Sequence, residues 1–494
     1  MLLHSLLRQL DAQLPVSHLP NPNVASVQED SRRVRAGDLF IARPGTKSDG
    51  RQFIADAAAR GAVAVVTATP VADSPLPAVV LPDIAAATSR LAHILRGQPS
   101  RKLAVMGITG TNGKTTTAYL LRHILASVRR RCGMIGTVEI DDGGRCRPAE
   151  LTTPGAVDVA DLMGAMRDNG CAACAMEVSS HALEQGRVAG VNFAGAAFTN
   201  LTQDHLDYHA TMDAYAAAKA RLFEMLDASV VAAVNADDPW TPRIVRDCRA
   251  RIVRWGFGAD ADYRATDVQV SADGSRFLLT APSGQAQVQM HLVGRHNVAN
   301  ALTAASLAGE VCGVSAGQVA EALTDAPGAP GRLQVVRCGQ PFAVLVDYAH
   351  TDDALRNVLT ALRPLTAGRL RVLFGCGGDR DRAKRPKMAA VAQELADVVY
   401  VTSDNPRTEN PQDIINDITA GLRADSSGQS PRHIVVEIDR RRAIERALSD
   451  AGAGDVVVLA GKGHENYQIV GSTKHPFDDA REAERVLRGL VMAA

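Results

Sequence analysis

The segment GITGTNGKTTT, Gly107 to Thr117, places glycines, a lysine and a run of threonines between an apolar stretch, LAVMGIT, and a helical pattern that starts at Thr115. Glycines let backbone amides close around phosphate oxygens without Cβ clashes, and a helix N-terminus adds a favourable dipole. Gly110, Thr111, Asn112 and Gly113 form the turn, Lys114 is set to meet the outer phosphates, and Thr115 and Thr116 follow, the first with a hydroxyl able to reach magnesium. The strict G-x-x-x-x-G-K-[ST] spacing is not met, because Ile108 stands where its first glycine belongs. The segment points to nucleotide binding and leaves the reaction open.

Two further clusters carry titratable groups. MEVSSHALEQGRV supplies Glu177, Ser179, His181, Gln185 and Arg187, and FTNLTQDHLDYH supplies Asp204, His205 and His209, each after an apolar strand candidate. A carboxylate at such a strand end suits Mg²⁺, a hard cation that prefers oxygen; imidazole is a less usual ligand for it. No G-x-S-x-G elbow accompanies SSHAL, which argues against a serine acyl-transfer triad. Lys219, in AYAAAKARLF, sits on an Ala-rich helix where a lysine is usually solvated, and spacing alone assigns it nothing.

The elements that must position these groups follow from pattern. LAVMGIT, CGMIGTV, CAACAMEV, GAAFTNL and ASVVAAVNA alternate with helical segments, which argues for a parallel sheet covered by helices. A more polar region of alternating strands precedes an Ala-rich helix from Asn297. After the Pro- and Gly-dense DAPGAPGRLQ the alternation restarts with FAVLVDYA, LRVLFGCGG, DVVYVTSD, HIVVEI and DVVVLAG. GQPSRK, Gly97 to Lys102, reads as a polar linker. The expected fold is α/β with three domains: a smaller N-terminal α/β domain over 1–100, a central P-loop-type parallel sheet over 101–330 and a Rossmann-like domain over 331–494.

Composition bounds the function class. The 494 residues suit about two to four domains. Lys plus Arg and Asp plus Glu are equal at 54 each, so no bulk field favours nucleic acid or an acidic membrane. No run reaches the ~18 apolar residues of a spanning helix. MLLHSLLRQLDAQLP reads as an amphipathic helix rather than a signal peptide. Eight cysteines are sparse and fit a reducing cytoplasm, and Cys171 and Cys174 read as buried strand residues, not zinc ligands. The expectation is a cytoplasmic, monomeric small-molecule enzyme.

Taken together, GITGTNGKTTT, EVSSHAL, TNLTQDHLDYH, GRHNVANALTA, PGRLQ and DYAHTDDAL resemble, in order and over nearly the whole chain, the Mur ligases, ATP-dependent amide-forming enzymes of peptidoglycan precursor synthesis. The short phosphate loop is the form used by that family. The resemblance implies phosphoryl transfer from ATP to a substrate carboxylate and attack on the acyl phosphate by an amine. It implies Mg²⁺ held by Thr115, Glu177 and His205, nucleotide contacts from Asn297, Arg332 and Asp347, and a carbamylated Lys219 (N6-carboxylysine). QEDSRRVRAGDLFIARPGTKSDGRQFI resembles a UDP-sugar-binding domain, with Ser31, Thr46, Lys47 and Ser48 facing the sugar nucleotide. Thr152, Thr153, Ser179, Gln185 and Arg187 match positions that hold a muramoyl dipeptide. SDNPRTENP, with Asp404, Asn405, Pro406 and Arg407, resembles the D-N-P-R motif of members that add meso-diaminopimelate rather than L-lysine, and Arg385, Gly461 and Glu465 also match. A guanidinium can fork onto the extra carboxylate of diaminopimelate. One departure is Asp352, where the family usually has proline, a change with the capacity to alter a turn.

Overall fold

The computed structural model describes residues 1–45, 48–271, 273–422 and 433–493. It divides into two compact units: Met1–Thr266 with Leu279–Ala286 and Ala299–Leu323, and Asp267–Leu278 with Gln287–Val298 and Thr324–Ala494.

The first unit opens with the helix Leu3–Leu10, whose Leu3, Leu6 and Leu7 are buried on one face, the i, i+3, i+4 spacing of an amphipathic helix. They join a core with Leu39, Ile41, Ala64 and Val66. Those residues come from a four-stranded parallel sheet, Val27–Gln28, Leu39–Ala42, Ala64–Thr67 and Ala78–Val80 in spatial order. Within GQPSRK, Pro99–Arg101 form a 3₁₀ turn, and the buried Ser100 Oγ accepts from the Asn192 amide at 3.0 Å.

The larger sheet is built around six parallel strands in the order Arg251–Gly256, Val231–Asn235, Gly195–Phe198, Ala104–Thr109, Ala173–Glu177 and Cys132–Ile135. The inner strands are buried along nearly their whole length and apolar up to their carboxyl ends, as in a parallel sheet between layers of helices. Cys171 and Cys174 are buried and unbridged at this sheet. Antiparallel Glu139–Asp141 and Cys146–Pro148 extend one edge, and Tyr263–Ser271, Gly274–Ala281 and Gly284–Met290 complete the sheet.

The second unit is a six-stranded sheet in the order Gln334–Val335, Ala343–Asp347, Val456–Ala460, Leu370–Phe374, Val398–Val401 and His433–Val436, parallel except for the first strand. All five strands expected after the Pro-Gly break are present. Asp352 is the first residue of the helix Asp352–Leu362, capped by Thr351. That position accepts proline and acidic residues alike, so the departure leaves the turn intact. Among the described residues no helix is long and apolar enough to cross a membrane.

Candidate active site

In both large sheets the chemistry-bearing residues emerge at the carboxyl ends of parallel strands, where open α/β sheets bind ligands. Strand Ala104–Thr109 runs into the glycine turn, and helix Lys114–Ser127 begins directly after it. Gly110 and Gly113 have φ of +146° and +86°, and a Cβ on either would collide with Thr199 Oγ1 or Asn300 Oδ1. The turn is clasped by its neighbour strand: the Thr111 amide donates to the Asn200 carbonyl at 2.8 Å and the Asn112 amide to Asn200 Oδ1 at 3.0 Å. Lys114 Nζ donates to the carbonyls of Gly110 and Thr111, both at 2.9 Å. The first-turn amides of this helix have no carbonyl one turn back within it, the condition for gripping an anion.

Beside the turn, Glu177 ends the neighbouring strand and is 1% exposed. Its carboxylate accepts from Thr115 Oγ1 at 3.0 Å, Thr137 Oγ1 at 2.9 Å and the Thr137 amide at 2.8 Å. Among the described residues no cation lies within ion-pair distance of it. A buried carboxylate with hydroxyl neighbours and no paired charge suits a hard divalent cation. Among the described residues no group of three or more His, Cys, Asp or Glu is arranged to hold a metal; the oxygen atoms gathered at this point are those of Glu177, Thr115 and Thr137.

Lys219 departs from the solvated helix lysine that spacing suggests. Helix Met212–Glu224 turns it inward, 1% exposed, where Nζ donates to the Gly110 carbonyl at 2.8 Å and lies 4.4 Å from the Tyr215 ring centroid. Burial, reinforced by Lys114, pushes its pKa well below the usual lysine value. His205 lies outside the Glu177 hydrogen-bond group. Its backbone is left-handed at φ +53°, and its ring meets His181 at 5.0 Å and Tyr215 at 6.1 Å. Ser180, His209 and Glu184 form a chain, with His209 Nε2 2.9 Å from Ser180 Oγ and Nδ1 3.2 Å from Glu184. Ser180 and His209 are buried, so this chain fastens Ser180–Glu184 to the short helix Leu206–His209 that follows His205.

The residues matched to a muramoyl dipeptide form one hydrogen-bonded cluster. Thr153 Oγ1 donates to the Glu177 carbonyl at 2.8 Å and accepts from the Ser179 amide at 3.1 Å. Arg187 donates to the Thr153 carbonyl at 2.7 Å and to Gln185 Oε1 at 3.0 and 2.7 Å. Thr152 joins through Thr137 at 3.1 Å. Burial lowers the pKa of Arg187, and Arg43 adds to the effect. Ser31 starts a 3₁₀ turn capped by Asp30, and the Ser48 carbonyl accepts from the Gly45 amide at 3.0 Å. Thr46 and Lys47 lie outside the described residues.

In the second unit Asp347 ends its strand and accepts from the amides of Leu333 at 2.7 Å and Ala349 at 2.9 Å. Burial pushes its carboxyl above the usual range, against the pull of Arg332. The Arg332 guanidinium lies 5.1 Å from the Tyr348 ring centroid, and Asn297 Nδ2 donates to the Val293 carbonyl at 2.8 Å.

The same sheet gathers a cluster of opposed charges at its carboxyl end. Strand Val398–Val401 leads to Asp404, Asn405, Pro406 and Arg407, and strand Val456–Ala460 to Gly461 and Glu465. Between them lies Lys462, fully buried, with Nζ 3.3 Å from Asp404 Oδ1, 3.3 Å from Asn405 Oδ1 and 3.4 Å from Glu465 Oε2. Asn405 Nδ2 donates to Glu465 Oε2 at 2.8 Å. Gly461 has φ +107°, and an added Cβ would press on Asp404 Oδ2 at 3.2 Å. The Pro406 carbonyl accepts from the Glu409 amide at 3.1 Å. The hairpin Tyr467–Val470 and Thr473–Pro476 pins the loop, because Arg407 donates to the Ile469 carbonyl at 3.1 Å and accepts from the Gly471 amide at 2.8 Å.

The two arginines expected to meet a carboxylate differ. Arg385 is fully buried, forked onto Glu409 by two 2.8 Å bonds and onto Asp417 by another of 2.8 Å. Only its Nε is unpaired, so its charge is already answered. Arg407 Nη1 donates to the Gly378 carbonyl at 2.7 Å, and among the described residues no carboxylate pairs with it. Thr137, Tyr215 and Lys462 are site residues that sequence reasoning missed. Lys462 alone had a signal, its place inside AGKGHE between two residues that were picked out.

A glycine turn opening a helix beside an unpaired buried carboxylate, at the carboxyl end of a parallel α/β sheet, has the layout of the nucleotide-binding P-loop class. Residues 23–96 match the Mur ligase family catalytic domain, 108–308 the Mur ligase middle domain and 331–463 the Mur ligase glutamate ligase domain. The chain belongs to the Mur ligase family. It is 45% identical over 492 residues to the UDP-N-acetylmuramoyl-L-alanyl-D-glutamate–2,6-diaminopimelate ligase of Gloeobacter violaceus, covering 99% of this chain and 98% of the relative. It is likewise 45% identical to the ligase of the same name from Thermosynechococcus vestitus, over 95% of this chain and 94% of that one. A solved structure of a UDP-N-acetylmuramoyl-L-alanyl-D-glutamate–2,6-diaminopimelate ligase superposes with a TM-score of 0.70 at 35% identity, covering 95% of each chain.

Proposed function

We propose that this ligase joins meso-2,6-diaminopimelate to UDP-N-acetylmuramoyl-L-alanyl-D-glutamate with ATP, through an acyl phosphate, as a cytoplasmic monomer in peptidoglycan precursor synthesis. The observation that carries the choice of amino acid is that Arg407, free of carboxylates among the described residues, shares a loop with Asp404, which pairs with Lys462 beside Glu465 on the neighbouring loop. Two carboxylates around one lysine leave a net negative charge for an ammonium, and Arg407 offers a guanidinium to the carboxylate beside it. Diaminopimelate carries that ammonium–carboxylate centre at its far end, whereas lysine has the ammonium alone. The names and coverage of the relatives support the same reading.

In this reading residues 1–100 bind the uridine nucleotide through Ser31, Thr46, Lys47 and Ser48, 101–330 bind ATP and the muramoyl dipeptide, and 331–494 bind the amino acid. Lys114 and the amides of Gly110 to Thr116 hold the phosphates and offset the charge of the transferring group. Asn297, Arg332 and Asp347 hold the rest of the nucleotide. Glu177, Thr115 and His205 would hold Mg²⁺, which neutralises phosphate charge when bound. Thr137 keeps Glu177 oriented. Thr152, Thr153, Ser179, Gln185 and Arg187 present the dipeptide carboxylate, and Lys219 acts as the carbamate. The incoming amine attacks as the neutral base, and exclusion of water protects the acyl phosphate from hydrolysis.

The test is phosphate release from ATP with UDP-N-acetylmuramoyl-L-alanyl-D-glutamate and either meso-diaminopimelate or L-lysine, with product mass as the second readout. Turnover with diaminopimelate alone is expected. Turnover with lysine instead refutes the reading of the pocket and keeps the ligase. Turnover with neither refutes the assigned reaction.

A further inference from the structure

Two buried arginine–aspartate pairs brace the sheet of the second unit, one at each end of its strands. At the amino ends, Arg371 Nε donates to Asp455 Oδ2 at 2.8 Å, and Asp455 also takes the Arg369 amide at 2.7 Å. At the carboxyl ends, Arg440, first residue of the helix Arg440–Ser449, forks onto Asp479, first residue of the helix Asp479–Ala493, at 2.8 and 2.6 Å. Arg440 is 1% exposed and Asp479 is fully buried.

A buried ion pair is weak evidence of stabilisation in itself, since well-packed apolar side chains commonly serve as well. What distinguishes Arg440 is where its remaining donors go. Nη2 donates to the Ala460 carbonyl at 3.0 Å, and Nη1 makes a longer bond of 3.5 Å to the Ser403 carbonyl. Ser403 precedes Asp404, and Ala460 precedes Gly461. The loops of Asp404 to Arg407 and of Gly461 to Glu465 therefore leave their strands from two carbonyls tied to one guanidinium. Asp479 fixes the plane of that guanidinium, because a fork onto a carboxylate admits one orientation.

We propose that Arg440 and Asp479 are positioning residues for the amino-acid substrate: through the Ser403 and Ala460 carbonyls they set the spacing between the Arg407 loop and the Glu465 loop, and so the fit of the pocket to its zwitterion. Neither touches the substrate. The inference rests on the reading of this pocket given above. Substrate fit is sensitive to small displacements, and an ångström of misplacement costs on the order of a hundredfold in rate.

The experiment measures KM for diaminopimelate, ATP and the muramoyl dipeptide, with kcat and Tm, in Asp479→Asn and Arg440→Lys, alongside Asp455→Asn at the opposite strand ends. Asp479→Asn keeps the shape and one acceptor, so it serves even if Arg440→Lys fails to fold. The expected result is that KM for diaminopimelate rises roughly tenfold or more in the Asp479 and Arg440 variants. KM for ATP stays within about twofold, and Asp455→Asn lowers Tm without moving any KM. Equal effects of Asp479→Asn and Asp455→Asn on the diaminopimelate KM would overturn the inference and leave both pairs as braces. Wild-type protein that does not turn over diaminopimelate overturns the substrate reading and the inference together. Normal wild-type turnover with an unmoved KM in Asp479→Asn overturns the inference alone.

Discussion

Replacing Arg407 by alanine removes the guanidinium while leaving the loop that carries it. Its backbone is held by Ile469 and Gly471, bonds that alanine keeps, and its left-handed φ of +52° is equally demanding for any non-glycine residue. Within the protein the side chain loses one bond, to the Gly378 carbonyl. The effect on stability should therefore stay at about 1 kcal/mol or less. Toward diaminopimelate the loss is larger, since a hydrogen bond to a charged group contributes about 1.5–3 kcal/mol, or roughly 10- to 150-fold in kcat/KM. The assay is phosphate release with diaminopimelate varied at saturating ATP and dipeptide, then with ATP varied. Arg407→Lys keeps the charge without the fork and should recover only part of the loss. L-lysine has no far carboxylate, so whatever slow turnover it supports should not respond to the substitution. Equal weakening toward diaminopimelate and ATP, or an unchanged diaminopimelate KM, refutes the role assigned to Arg407.

Two further outcomes follow from buried amines and imidazoles. Burial and Lys114 depress the pKa of Lys219, which favours the neutral amine able to attack CO₂ and lose a proton as the carbamate forms. Active protein in ¹³C-bicarbonate should show a carbamate resonance that Lys219→Arg lacks, and its absence from active wild-type protein would count against the modification. His93 is fully buried with both ring nitrogens unpartnered, and burial lowers its pKa to about 4. Between about pH 6.5 and 4 the unfolded chain takes up a proton that the folded chain refuses, so this contribution to stability is complete above that window and is lost as pH falls through it. The loss is ~2–3 kcal/mol by pH 4.5, read from urea unfolding at pH 7 and 4.5. His93→Leu should flatten that dependence, and an unchanged slope would refute the assignment.

The glycine turn between strand and helix was legible because its parts are neighbours in the chain. Gly110, Gly113, Lys114 and Thr115 need only a strand before them and a helix after, both written in local hydrophobic pattern. The five strands after the Pro-Gly break were legible for the same reason: a buried parallel strand is a short apolar run, and each ends in polar or glycine residues. Lys219 shows where such reading stops. A lysine among alanines on a helix looks solvated, and what buries it is the Gly110 carbonyl 109 residues away in sequence. CGMIGTV reads as one strand, yet the strand closes at Ile135, and Thr137 turns to Glu177, a partner 40 residues on.

The Arg385 and Arg407 contrast carries this further. Both match motif positions, and side-chain type gives no reason to treat them differently. Only the fold shows that helix Pro411–Thr419 brings Asp417, and the turn before it Glu409, onto Arg385, so that one guanidinium is neutralised within the protein. Motif matching finds residues that gather at a site. How the charge is divided there, between what holds the pocket and what remains for a ligand, depends on partners that lie dozens of residues away. In the proposed function Arg407 is therefore the guanidinium with charge left for a far carboxylate, while Arg385 already ties Glu409 and Asp417 together.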